Sequence, residues 1–246
     1  MDEKRLLIVC EGQTEKNYLS QWAQHCGVTG DKIDVICGAH QEPKLLLKQA
    51  VMEYSWSVQS KERLYTDVWL AFDRDSHQNF HQTLGMQQLF PYVHLCWTNP
   101  CIEFWFLMHF APFPPFTRSK ALVLNREDCF LSNSVLKTST ETIEMIVDPK
   151  DVTEQLSYMW HDYKKGCAAY VRTLKNHMED AIAQCIKTDL HQDCFALGSL
   201  MPELLTAIAE LATGNRDDAE KMVSKKWHEY CEMQRRIKQL HGNPLP

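Results

Sequence analysis

The first hundred residues alternate short apolar runs with amphipathic helical patterns, and this alternation constrains the fold more than any other feature of the chain. Arg5–Cys10 (RLLIVC) is an apolar run ended by Glu11 and Gly12. Thr14 then precedes a helical pattern that puts Tyr18, Leu19, Trp22 and Ala23 on one face and stops at Gly27. Ile33–Cys37 (IDVIC) reads as a second strand, closed by Gly38. Pro43 opens a second helix through Leu46, Leu47, Ala50 and Tyr54. Proline suits a first helical position because the N–H it lacks would have no partner there. Asp67–Phe72 (DVWLAF) is a third strand, and a polar helix rich in His and Gln follows over about residues 78–89. Tyr92–Trp97 (YVHLCW) is a fourth strand, after which Pro100 opens the apolar helix CIEFWFLMHF. Strands alternating with helices predict an α/β fold, a parallel sheet flanked by helices.

The proline-rich segment Ala111–Phe116 (APFPPF) breaks the alternation. It predicts a boundary, with an α/β unit over residues 1–116 and a mainly helical region over 117–246. The stretch to Asp148 is Ser/Thr-rich and ambiguous. From Asp151 every pattern is helical: DVTEQLSYMWHDYKK, AAYVRTLKNHMEDAIAQCI, SLMPELLTAIAEL and DDAEKMVSKKWHEYCEMQRRIKQL.

Bulk properties narrow the function classes. No apolar run approaches the roughly 20 residues needed to span a bilayer. The apolar stretch near the start, five residues long, is too short for the core of a signal peptide. Ten cysteines occur without one Cys-x-x-Cys pair, which reads as reduced thiols in a cytoplasmic protein. The formal net charge of −6 argues against a broad basic surface, so any contact with nucleic acid is local or supplied by a partner. Neither a Walker-type loop nor Gly-x-Gly-x-x-Gly is present, which argues against ATP or dinucleotide binding by this chain.

In an open parallel sheet, ligands bind beyond the carboxyl ends of the strands. Glu11 directly follows the first strand; Asp73 and Asp75, separated by Arg74, follow the third. Carboxylates gathered there repel one another unless a cation sits among them. Hard oxygen ligands without a Cys or His chelate favour magnesium or manganese. Such a metal binds a phosphate oxygen, activates water and stabilises the leaving oxygen, which is the chemistry of phosphodiester cleavage. Acids at strand ends also serve as turn formers and helix caps.

Four segments, in order, resemble one family. CEGQTEKNYL (Cys10–Leu19) is similar to the first Toprim motif as it occurs in RloB-type proteins, and FDRD (Phe72–Asp75) to the second, the Asp-x-Asp. TNPCIEFWFLMHF (Thr98–Phe110) resembles the Asn-Pro-Cys-x-Glu-x-Trp block that follows there, and HDYKKGCAAY a later Tyr-Lys motif. The resemblance implies a Toprim-like fold, a divalent metal, nuclease activity and a role in anti-phage defence, sometimes beside an ATPase partner. Glu11 matches the first Toprim glutamate, Asp73 and Asp75 match the Asp-x-Asp, and Glu103 falls in the third block. Residues 117–148 carry no such match.

Other residues admit two readings. Glu15 is a further metal ligand or a carboxylate offsetting a helix dipole. Glu103, in a nearly all-apolar helix, needs either a metal or a structural partner. Asn99 is an N-terminal cap that would also point into the strand-end crevice. His77 and His81, four apart, would share a helical face and with Asp73 begin a transition-metal site; otherwise they are exposed histidines on a polar helix. Tyr163, Lys164 and Lys165 offer stacking and phosphate contacts, with Lys164 expected beside the acids, or else the lysines offset a helix end. Arg235, Arg236 and Lys238 read as a solvated helix end. The sequence thus predicts metal-dependent cleavage of nucleic acid by Glu11, Asp73 and Asp75, with DNA and RNA both open. The alternatives are a non-catalytic Toprim-like module that binds an ATPase or nucleic acid, and a strand-transfer enzyme.

Overall fold

Leu6–Cys10 (β1) is buried at all five positions, as a continuous apolar run requires when both faces of a parallel sheet are covered. The computed structural model describes residues 4–61, 64–75, 77–110, 119–125, 141–165, 170–187 and 197–241. After β1 come Gln13–Cys26 (α1), Ile33–Cys37 (β2), Pro43–Ser60 (α2), Asp67–Asp73 (β3), Phe80–Gln87 (α3), Val93–Asn99 (β4) and Ile102–Leu107 (α4). The expected alternation therefore holds. Tyr18, Leu19, Trp22 and Ala23 form the buried face of α1, which ends on left-handed Gly27. Pro43 starts α2.

Strands β2, β1, β3 and β4 lie side by side in that order, all parallel. A short strand, Gly198–Ser199 (called β7 below), adds to β4 antiparallel. Between them in sequence, Ser119–Asn125 (β5) and Glu141–Val147 (β6) form a separate two-stranded antiparallel sheet. Pro149–Met159 (α5) is capped by Asp148, whose Oδ1 accepts from the Lys150 N–H at 3.0 Å. Tyr170–Leu174 (α6) and Met178–Cys185 (α7) are joined by a 3-10 turn. Met201–Thr213 (α8), Arg216–Val223 (α9) and Lys225–His241 (α10) complete the described chain. Helix α1 packs against α8 and α6, and α2 packs against α3 and β3.

The second half departs from its expected pattern in three places. The ambiguous stretch before Asp148 contributes β5 and β6. Two of the three helices predicted from residue 168 onward break, the first at the 3-10 turn Lys175–His177 and the last at Ser224, while Met201–Thr213 runs unbroken. Ser224 has extended backbone, and its Oγ accepts from the Trp227 N–H at 3.2 Å, capping α10. Arg235, in the run expected to be a solvated helix end, is partly exposed and also bonds Glu220 and Asp217 of α9, at 2.7 and 3.0 Å.

The boundary expected near residue 116 lies outside the described residues. One apolar core runs from Leu6 to Trp227 and draws on both halves. The Trp22 indole N–H of α1 donates to the Leu205 carbonyl of α8 at 3.0 Å, deep in that core. The seven described cysteines are all free thiols. No described helix is long and apolar enough to cross a membrane.

Trp22→Phe removes the indole donor from the buried Leu205 carbonyl and shrinks a ring that fills the core. It is expected to cost about 1–3 kcal/mol. In a chain of this size that lowers Tm by about 2–4 °C per kcal/mol, read by thermal denaturation as one shifted transition.

Candidate active site at the carboxyl edge of the sheet

The strand order reverses between β1 and β3: the chain leaves β1 for β2 on one side and later places β3 on the other. At such a point the two connecting segments diverge and open a crevice beyond the strand ends. Glu11 is the first residue past β1, and its N–H continues the ladder to the Ala71 carbonyl at 2.9 Å. Asp73 is the last residue of β3. Glu11 Oε2 accepts from the Asp73 N–H at 3.0 Å, and Asp73 Oδ1 accepts from the Ile102 N–H at 2.7 Å. Each carboxylate is thus held through one oxygen by backbone of the next element.

Two further carboxylates join them. Glu15, in the first turn of α1, is buried and curls back over Gly12; a Cβ at Gly12 would sit 2.9 Å from Glu15 Oε2. Glu103 on α4 is 1% exposed. Its Oε1 accepts from the Tyr163 hydroxyl at 2.8 Å and pairs with Lys165 Nζ at 3.1 Å. Burial, followed by the charges of Glu15, Glu11 and Glu103, holds the Asp73 pKa well above the usual carboxylate range. Burial, together with Glu11 and Glu103, raises Glu15 to about 7. Four carboxylates therefore share one field.

The cations are sparse. Partial burial disfavours the Lys165 ammonium, but Glu103, with Cys101 and Asp73, outweighs it and raises the pKa. Its side chain is two-thirds exposed, so it reaches the acids from solvent. Lys164, expected beside the acids, instead has an exposed side chain, and its carbonyl accepts from the Tyr170 hydroxyl. Tyr163 is buried with its hydroxyl on Glu103, so it presents no face to a stacking base.

Arg74 stands between the aspartates in sequence but is fully buried, with its guanidinium 4.4 Å from the centre of the Phe80 ring. Its Nη1 lies 3.4 Å from the carbonyls of Asp75 and His77, so it braces their loop. Asp75 has φ +30° and donates its N–H to the Pro100 carbonyl. It is not among the main charges acting on Asp73 or Glu15. His77 and His81 do not share a helical face, because α3 begins at Phe80. His77 Nε2 is 3.4 Å from Glu11 Oε1, while His81 is buried on α3. Asn99 is buried at the end of β4, cis to Pro100.

Among the described residues, three metal-type ligand atoms come within 4.8 Å of one another at Asp217, Glu220 and His228. Arg235 already fills that place, with Nη1 2.7 Å from Glu220 Oε1. The switch-point acids are spaced more widely than this.

The raised pKa values set a pH dependence. Glu15 binds its proton more tightly folded than unfolded, so its favourable contribution is complete below about pH 4.5 and is lost as pH rises to about 7. Asp73 acts with the same sign. In buffer free of divalent metal, the wild type is expected to lose on the order of 2–3 kcal/mol more across that window than Glu15→Gln does. Denaturation series at fixed pH values measure this; parallel pH profiles would mean that burial and the neighbouring acids do not raise Glu15.

No curated protein and no solved structure shows a significant match to the chain. A family model described as RloB-like protein matches residues 6–212, which include all four carboxylates and Lys165, and the chain belongs to that RloB-like family.

Proposed function

We propose that this protein is a divalent-metal-dependent nuclease of Toprim-like type that hydrolyses nucleic-acid phosphodiester bonds in anti-phage defence. The observation that carries this reading is the gathering of Glu11, Glu15, Asp73 and Glu103 at the switch point, with the Lys165 ammonium paired to Glu103. Buried like charge on this scale costs stability and serves no packing purpose. The donor set is all oxygen, which fits magnesium or manganese. Glu11 and Asp73 each commit one oxygen to a backbone N–H, and a cation bound to the second oxygen of Glu11 would take the place that His77 Nε2 now holds. Asp75 would complete the Asp-x-Asp pair, with its main-chain bond to Pro100 and its turn conformation fixing the loop that carries its carboxylate.

Bound there, the metal would polarise a phosphoryl oxygen and acidify a water molecule. The chain's own groups have distinct tasks. Glu15, with its pKa near neutrality, is suited to take or give a proton at working pH. Lys165 offers a compact positive charge to a substrate phosphate. Tyr163 fixes the Glu103 carboxylate that anchors Lys165. Cytoplasmic action, and an ATPase partner, accompany this reading.

The test is a cleavage assay on single- and double-stranded DNA and RNA with magnesium, manganese or chelator. Glu11→Gln and Asp73→Asn are expected to lose at least about a hundredfold in rate. Their metal-free Tm should be unchanged or higher, because a repelling charge is gone. Manganese should raise the wild-type Tm and leave that of Asp73→Asn unmoved. Metal-independent binding without cleavage would instead favour a non-catalytic module, and unfolded variants would make the acids structural.

The same assay separates the two lysines. Lys165→Ala is expected to lower cleavage about tenfold or more by removing the ammonium paired with Glu103, whereas Lys164→Ala stays close to wild type. Equal loss from both would remove the role given to Lys165.

A further inference from the structure

The cleft between α1 and α6 is bounded by two surfaces that lack acid. The chain holds 32 Asp and Glu against 26 Lys and Arg, yet the one acidic residue of α1, Glu15, is buried. The outward residues of α1 include Lys16, Asn17, Gln24 and His25. Tyr170–His177 contains no acid at all and exposes Arg172, Lys175 and His177. The Val171 N–H donates to Gln21 Oε1 at 3.2 Å, joining the two elements. Gln21, Gln24, His25, Val171, Arg172 and Lys175 line a shallow cleft of about 270 Å³. Among the described residues, neither Arg172 nor Lys175 makes an ion pair.

Scattered cations on a helix usually mean only a solvated face. Two observations distinguish this one. The acids that balance cations elsewhere on the surface, as Glu229 balances Lys225 and Glu232 balances Arg236, are missing from both elements. Both elements also reach the switch point, α1 through Glu15 in its first turn and α6 through Tyr170. The Tyr170 hydroxyl holds the Lys164 carbonyl, and the next residue, Lys165, is bonded to Glu103 within the field of Asp73.

We propose that the α1–α6 cleft is a backbone track for nucleic acid, in which Arg172, Lys175 and His25 hold phosphates of a strand whose reacting bond lies at the acidic site. The proposal rests on the nuclease reading and adds the path of the substrate. At 1.5 Å rise per residue, Glu15 to His25 spans on the order of 15 Å. That is about four phosphates of a duplex strand at 3.4 Å each. Gln, Lys and Arg side chains in such a cleft contact phosphate and sugar rather than base edges, so binding is indifferent to sequence. The negative charge of the remaining surface repels a polyanion, which confines it to this strip.

The test uses full-length protein in chelator, where binding is read without cleavage. Fluorescence anisotropy with labelled single-stranded and duplex oligonucleotides is followed across a salt series. Arg172→Gln/Lys175→Gln is expected to flatten the log–log salt slope by about 1.4 on single strands or about 1.8 on duplex. Lys48→Gln/Lys221→Gln, exposed on α2 and α9, should leave the slope unchanged, and Asp73→Asn should still bind. Wild-type binding with an unaltered slope in the Arg172/Lys175 variant would overturn the track while leaving the acidic site standing. Tighter salt-sensitive binding of polyglutamate than of any oligonucleotide would overturn it in favour of an acidic protein partner. Neither binding nor metal-dependent cleavage of any nucleic acid would sink both readings.

Discussion

The site depends on backbone N–H groups that hold carboxylates in place against their mutual repulsion. Left to themselves, Glu11 and Asp73 would swing apart or take up protons. The Asp73 N–H fixes Glu11, and the Ile102 N–H fixes Asp73, so each acid is tied to the strand or helix beside it. This works only because β1, β3 and β4 are parallel and in register, which delivers their carboxyl ends to one edge together. A hydrogen bond to a charged acceptor contributes about 1.5–3 kcal/mol. That stabilisation opposes the repulsion and keeps both carboxylates at the strand ends.

The helical half completes this arrangement. Tyr163 and Lys165 both reach Glu103, so the segment after α5 is bonded to the helix after β4. Phe106 stacks on Tyr170 with ring centroids 4.9 Å apart, and Tyr18 packs edge-on against Phe106 at 5.2 Å. The aromatic contacts place α1, α4 and α6 around the acids. Movement of α6 would therefore be felt at Glu103, and the acidic edge and the α1–α6 cleft belong to one packed unit.

The sheet and its edge were legible because continuous apolar runs and period-3.6 faces carry both facts locally: which residues are buried and where each strand stops. Glu11 and Asp73 follow from that alone. Glu15 and Glu103 were harder to place, since one resembled a dipole partner and the other a structural pair. Their signals were present: a glycine three residues before Glu15, and a lone charge in the apolar run CIEFWFLMHF. The choice between Lys164 and Lys165 was not legible. Adjacent residues differ by the rotation of an irregular segment, and Glu103, 62 positions away, selects which lysine it meets. The break at Ser224 was hidden for a similar reason, because helix propensity runs unbroken across it and its capping bond is decided locally by geometry.

The strand β7 covers the carboxyl end of the β4 edge with residues that follow β4 by a hundred positions. Helix α8, directly after it, covers the Trp22 face of α1 from 183 positions away. During synthesis the first four strands and their helices leave the ribosome long before these covers exist. The nascent chain carries, for that interval, an unprotected β4 edge and a bare Tyr18, Leu19 and Trp22 face, both adhesive to other chains. Holding an incomplete sheet apart from its neighbours is then a task for the cell's chaperones.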